Sequence, residues 1–217
     1  MRHTQGNGAT GLEPVIEQLD KATIDDPETV ISALNEITAG VFGKPVPYQE
    51  TVDRFREAEL IFLVRDPRTN KIAGYSFNDR VEVEGKTANY FGSGFIHPES
   101  QGGGWYHTLN DRRIAAMPAN VLITRTQNPI VYAGMAALAK RQGYKLSPTP
   151  DGELTSSGLA IARAKFPECD DSMVCRGVYG RELMARTPEP KKPLASLFER
   201  IDISRGDGFV LVAEKAA

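Results

Sequence analysis

Between Glu28 and Phe42 the apolar side chains fall at Val30, Ile31, Leu34, Ile37 and Val41, three or four residues apart. That spacing paints one face of a helix. Gly40, Gly43 and Pro45 close the segment. Tyr48 to Leu60 repeats the pattern more weakly through Val52, Phe55 and Ala58. The period then changes. Leu60-Ile61-Phe62-Leu63-Val64 is an apolar run without helical gaps and predicts a buried strand. Turn chemistry at Asp66-Pro67-Arg68-Thr69-Asn70 separates it from a second strand over Ile72 to Val83. Gly85-Lys86 turns again into a third, Thr87 to Ile96. Three strands joined by short turns predict an antiparallel meander.

The second half has a different grammar. A Gly-rich loop, Ser100 to Gly104, leads into a predicted helix over Trp105 to Ala116, then a strand at Val121-Leu122-Ile123. Pro129 opens a helix that runs to about Gln142 and stops at Gly143. Tyr144 to Leu146 starts another strand, Ser156 to Phe166 a short helix, and Phe209 to Ala213 a last strand. The TPEPKKP segment, Thr187 to Pro193, is a surface connection, and residues 1–11, polar and Gly-rich, are expected to form a disordered tail. Residues 12–217 then form a single domain with a mixed α/β layer architecture, of α+β class.

Composition narrows the partners more than the fold. Lys and Arg total 26 against 28 Asp and Glu, a net charge of −2, so a broad nucleic-acid footprint or polybasic membrane face is not expected. No segment is long and apolar enough to span a bilayer, and no signal-peptide pattern opens the chain, which points to the cytoplasm. Cys169 and Cys175 make neither a disulfide framework nor, with the three histidines, a zinc site; reduced thiols near the core and no metal are expected. The oligomeric state has no signature in the sequence.

The strongest chemical signal is the run from Ile96 to Trp105, Ile-His-Pro-Glu-Ser-Gln-Gly-Gly-Gly-Trp, where a strand ends, a glycine turn follows and a helix begins. Unpaired N–H groups at a helix N-terminus bind phosphate oxygens, and glycine lets a phosphate approach the main chain. Three glycines alone are better described as a flexible surface loop. A second segment, Val121 to Pro129, gives a strand, a short loop with Asn128 and a helix start; Lys140-Arg141-Gln142-Gly143-Tyr144 follows.

The two segments in this order resemble the GNAT superfamily of acyl-CoA-dependent N-acyltransferases, over roughly Leu60 to Leu146. Gln101 and Gly104 match its pyrophosphate loop, Arg or Gln, two residues, Gly, one residue, Gly or Ala; Tyr106 stands where Gly or Ala is usual. The resemblance implies a central mixed, mostly antiparallel sheet flanked by helices and splayed between the strands around 90–96 and 120–125. The pantetheine arm of acetyl-CoA lies in that gap against the main chain of Phe95 and Ile96. Gln101, Gly102, Gly103, Gly104, Trp105 and Asn128 complete the expected cofactor contacts. Gly92-Ser93-Gly94 marks either a bulge there or a relief of packing against a neighbouring helix.

Catalysis requires a base for the acceptor amine and an acid for the departing thiolate. The helix position where the family often carries an acidic Tyr reads Leu138-Ala139-Lys140, and Ser93 occupies the usual place of a strand carboxylate. Tyr132, earlier on the same helix, is the expected acid ahead of Tyr144; Glu82, Glu84 and Glu99 are the bases within sequence range, and His97 and His107 flank the loop. Trp105 either covers the cofactor or packs between helix and sheet. The function implied is N-acyl transfer from an acyl-CoA, acetyl-CoA first among donors, to an unidentified amine. The alternative is a degenerate GNAT-like module that binds acyl-CoA as a sensor or partner domain. A nucleotide-binding protein is disfavoured: neither a P-loop nor a dinucleotide fingerprint is present.

Overall fold

The change of period along the chain becomes a division of labour between one sheet and the helices on its two faces. The structure, a computed structural model, describes residues 12–215; the expected tail over residues 1–11 lies outside them. Strands are β1 (Val15–Leu19), β2 (Leu60–Arg65), β3 (Ile72–Val83), β4 (Lys86–Ile96), β5 (Val121–Thr126), β6 (Tyr144–Ser147), β7 (Val174–Cys175) and β8 (Gly208–Lys215). Helices are α1 (Pro27–Phe42), α2 (Tyr48–Glu57), α3 (Trp105–Ala116), α4 (Pro129–Gln142), α5 (Ser156–Lys165) and α6 (Leu194–Phe198). The strands form one sheet in the order β1-β2-β3-β4-β5-β8-β6, with β7 on β8. All pairings are antiparallel except β4 with β5.

Local chemistry explains the boundaries. Asp26 accepts from the Thr29 amide at the start of α1, and Gly43 ends the helix in the left-handed region at φ 69°. Asn128 caps α4 through the Ile130 amide, with Pro129 in the first turn, and Gly143 closes it at φ 73°.

On one face of the sheet, Ile31, Leu34 and Ile37 of α1 and Val52 and Phe55 of α2 pack on Ile61, Leu63, Tyr75 and Phe77. The other face of the same strands carries α3, whose Trp105 and Leu109 meet Phe62, Val64 and Ile96. In the second half, α4 and α6 cover Leu122, Phe209 and Leu211 with Met135, Leu138 and Leu197. Opposite them α5 puts Ile161 and Ala162 against Ile123, Val210 and Val212. Cys169 and Cys175 are free, buried, and face each other across an isolated antiparallel bridge. Among the described residues no helix is long and apolar enough to cross a membrane.

The sheet divides at β4. Ala88–Phe91 pairs with Val121–Thr124, and there the contact between β4 and β5 ends. Beyond it, Ser93–Ile96 pairs with β3 alone, while β5 continues along β8 to Thr126. The break coincides with a bulge: Phe77 faces Ser93 but Asn78 faces Phe91, so Gly92 is the extra residue. The splay expected between the strands around 90–96 and 120–125 is therefore present.

Candidate acyl-CoA site

The fork between β4 and β5 is held open by side chains that claim the freed carbonyls. The Thr124 hydroxyl donates to the Phe91 carbonyl at 2.9 Å, closing the last step before the strands part. From α3, Arg113 reaches under the bulge. Its Nη2 donates to the carbonyls of Phe77 (3.2 Å) and Ser93 (3.0 Å), its Nε to Asn78 Oδ1 (2.7 Å) and its Nη1 to Asn110 Oδ1 (3.1 Å). The guanidinium lies over the Phe91 ring, 3.9 Å from its centroid. Asn78 donates in turn to Asn89, which caps the end of α3 through the carbonyls of Arg113 and Met117. Arg113 is 1% exposed and none of these partners is a carboxylate. Burial draws its ordinarily very high pKa down to about 10, so the group is charged at neutral pH at a desolvation cost.

A cavity of about 950 Å³ opens from this fork. It is lined by Gln101, Gly102, Gly104 and the first turn of α3, including His107, and also by Phe42, Leu183 and Met184. The helix start is prepared for an anion: Gly104 is its N-cap at φ 77° with no side-chain cap, and no acidic residue occupies the first turn. Gly102 is also left-handed, at φ 90°. The Gln101 carboxamide is turned inward and donates to the Ile96 carbonyl at 2.9 Å, tying the loop to the strand end.

Gly92 and Gly94 answer the two readings left open by the sequence, one each. Gly92 is the bulge. Gly94 relieves packing: a β-carbon there would lie 2.7 Å from Arg113 Nη1 and 3.6 Å from the Tyr106 ring. Gly134 on α4 makes the matching allowance, since its β-carbon would stand 3.3 Å from the same ring. Tyr106, bulky where the resemblance has a small residue, thus lies between two glycines and lines the cavity.

Of the residues singled out in the sequence, Phe95, Ile96, Gln101, Gly102, Gly104, Trp105 and Asn128 all border the cavity; Gly103 does not. Trp105 is buried, packs in the layer between α3 and the sheet, and donates its indole N–H to the Leu12 carbonyl. Tyr132 is not brought to the cavity. It is fully buried among Phe91, Met135, Leu138 and Phe198, and its hydroxyl donates to the Pro148 carbonyl at 2.8 Å. Burial pushes that phenol up from its ordinary pKa, and a phenol engaged with a carbonyl inside a core has no path to a reacting sulfur. Tyr132→Phe should accordingly cost about 1 kcal/mol of stability, one hydrogen bond, and leave acyl transfer unchanged. Urea unfolding and thiol-release rates check both halves; lower turnover at intact stability would return Tyr132 to the chemistry.

Glu82, Glu84 and Glu99 do not border the cavity either, and among the described residues that line it there is no Asp or Glu. Sequence reasoning missed Arg113, Thr124 and Arg125. The signal for Arg113 was its place four residues after Leu109 and eight after Trp105, on the buried stripe of α3.

The C-terminal third closes the far end. Gln127, buried, donates to the carbonyls of Arg181 and Ile203 and accepts from the Leu183 amide. Asn128 Nδ2 meets the Met184 sulfur at 3.4 Å, and the Ala185 amide donates to the Phe42 carbonyl. A strap over residues 179–188 therefore runs from the end of β5 to the end of α1.

No family model and no curated protein matches the sequence. The structure is similar to solved ones. The ribosomal-protein-S18-alanine N-acetyltransferase of Escherichia coli superposes with a TM-score of 0.52 at 14% identity, over 94% of this chain and 96% of that one. Naa20 of Chaetomium thermophilum, solved with a bisubstrate analogue, gives 0.52 at 12% identity over 93% and 86%. A chain of the NatC complex bound to Gag peptide and CoA gives 0.50 at 14% over 62% and 86%. At such identities the likeness concerns architecture, and it agrees with the divided sheet and the loop at its fork: the chain has the fold of the GNAT N-acetyltransferases.

Proposed function

We propose that the protein is an acyl-CoA-dependent N-acyltransferase, with acetyl-CoA as its donor. One observation carries the reading: the strand pair separates at a bulge, and the cavity that opens there ends on an uncapped, glycine-preceded helix N-terminus. The pantetheine arm runs along the main chain of Phe95 and Ile96. The pyrophosphate sits on the amides of Gly102 and Gly104 and on the start of α3, with Gly103 between them holding the turn, Gln101 and Trp105 bracing the loop and Asn128 bounding the opposite wall.

The acceptor nitrogen attacks the thioester carbonyl, the C–S bond breaks, and an amide and a thiolate result; the nitrogen gives up a proton and the sulfur takes one. Tyr106 supplies the cavity-lining phenol nearest Arg113 and is the donor we assign to the thiolate. The experiment is titration calorimetry with CoA, followed by thiol release from acetyl-CoA with an amine panel. Binding with turnover is the expected result, and no binding at millimolar CoA overturns the reading. A second reading, a module that binds acyl-CoA without turnover, is favoured by the lack of any carboxylate along the cavity; binding without thiol release from any amine would select it.

A further inference from the structure

The two charged side chains among the described lining residues of the cavity are both arginines, Arg113 and Arg125. Arg125, on β5 one step past the fork, lines the cavity on the side of the sheet that carries α5. Its guanidinium is held between two aromatic faces, 4.7 Å from the Phe166 centroid and 5.1 Å from that of Tyr179. Ring faces fix a guanidinium in place without neutralising it, and leave its N–H edges to be used. Those edges are poorly used here. Nη1 meets Glu168 at 3.4 Å, a half-exposed carboxylate outside the cavity, and Nε is buried with no hydrogen-bond partner. Nε is sealed from the cavity, but among the described residues Nη2 donates to no group, so a carboxylate meets the guanidinium at its outer edge with a charge-assisted bond. The neighbouring wall is apolar, from Val41, Phe42, Leu183 and Met184. Arg113 adds a second cation at the fork; among the described residues no Asp or Glu lines the cavity, and Asp79 beside the bulge is already paired with Arg54. A polyamine or lysine-type ammonium would enter against two positive charges with no carboxylate to receive it.

We propose that the acceptor is an apolar amine bearing its own carboxylate, of the free amino acid or aminobenzoate type, with that carboxylate seated on Arg125. The proposal rests on the acyltransferase reading, and CoA binding is measured first so that the two can fail separately. The assay is thiol release from acetyl-CoA. It pairs each apolar amino acid with its amide and 4-aminobenzoate with 4-aminobenzamide, with spermidine alongside.

At least one acid should exceed its amide about tenfold or more in kcat/KM, as expected for one charge-assisted hydrogen bond, and spermidine should be inactive. Arg125→Gln should bring acid and amide to within a few-fold of each other by raising KM for the acid. Glu168→Gln needs no buried group to be replaced. It removes the competing carboxylate and should lower KM for the acid about twofold while leaving the amide unchanged. A protein that binds CoA but prefers amides or spermidine, or accepts none of the acids, overturns the proposal. So does an acid-to-amide ratio that neither substitution alters.

Discussion

CoA at a hundredfold excess over its dissociation constant should raise the melting temperature by about 5–10 °C, and His107→Glu should halve that rise or more without harming the unliganded protein. A ligand that binds only the native state adds about 2.7 kcal/mol at that excess, and in a chain of this size each kcal/mol moves the midpoint by about 2–4 °C. His107 is the third residue of α3, exposed, and borders the phosphate end of the cavity. A carboxylate there faces the pyrophosphate with like charge. A tenfold loss of affinity at the same concentration leaves about 1.4 kcal/mol. In the free protein the same carboxylate sits in a first turn that has no acidic residue, where it complements the helix dipole by about 0.3–1 kcal/mol. The two effects have opposite signs, so general damage cannot imitate the result. Gly104→Glu would be a poorer probe, because φ is 77° there and any side chain strains the backbone. Pantetheine, lacking the phosphates, should give little of the rise. Wild-type protein indifferent to millimolar CoA would remove the acyl-CoA reading altogether, while a normal response in His107→Glu would move the phosphates off the α3 terminus.

The elements that build the fork were legible because each carries its own local code. The apolar run of β2, the Pro and Gly that bracket α4, and the glycines before α3 specify their structures without distant partners. What escaped depends on neighbours. β1 is a five-residue strand that, among the described residues, pairs with β2 only; β7 has two residues, and α6 has five. None is long enough to show a period.

Tyr132 illustrates a different failure. The helix that follows β5 makes it the expected acid, yet that helix has two faces. Tyr132, Leu138 and Ala139 lie in the core away from the cavity, while Ile130, Gly134 and Ala137 border it. Tyr106 was visible as a departure from the family pattern, but the two glycines that accommodate it, Gly94 and Gly134, lie on other elements. The acceptor end could not be read at all, since it depends on a strap whose contacts with Phe42, Gln127 and Asn128 span many tens of residues in sequence.

Arg113→Ala should be the most damaging single substitution near the fork, destabilising the protein by about 3–5 kcal/mol and lowering the melting temperature by roughly 6–20 °C. A buried cation with no counter-ion looks expendable, and its depressed pKa shows that the site resists the charge. Two terms decide otherwise. Truncation abandons the carbonyls of Phe77 and Ser93 and the side-chain oxygens of Asn78 and Asn110, all in the interior, each costing about 1–3 kcal/mol where water does not replace the donor. It also leaves a void beneath the Phe91 ring. The relief of desolvation subtracts from this sum and holds the net to the stated range. The sign is checkable by pH. The folded pKa lies below the unfolded value, so the penalty for burying the charge is fully present below about pH 10 and falls as pH rises from there towards the ordinary guanidinium value. Over the neutral range Arg113 therefore adds no pH dependence, and the difference between wild type and Arg113→Ala should be flat from pH 6 to 9 by urea unfolding. Because the same four bonds hold the bulge open, the variant should also lose CoA affinity under conditions where it remains folded. A loss below 1 kcal/mol would mean that the bulge stands without its guanidinium, and that the fork is set by Gly92 and Thr124 alone.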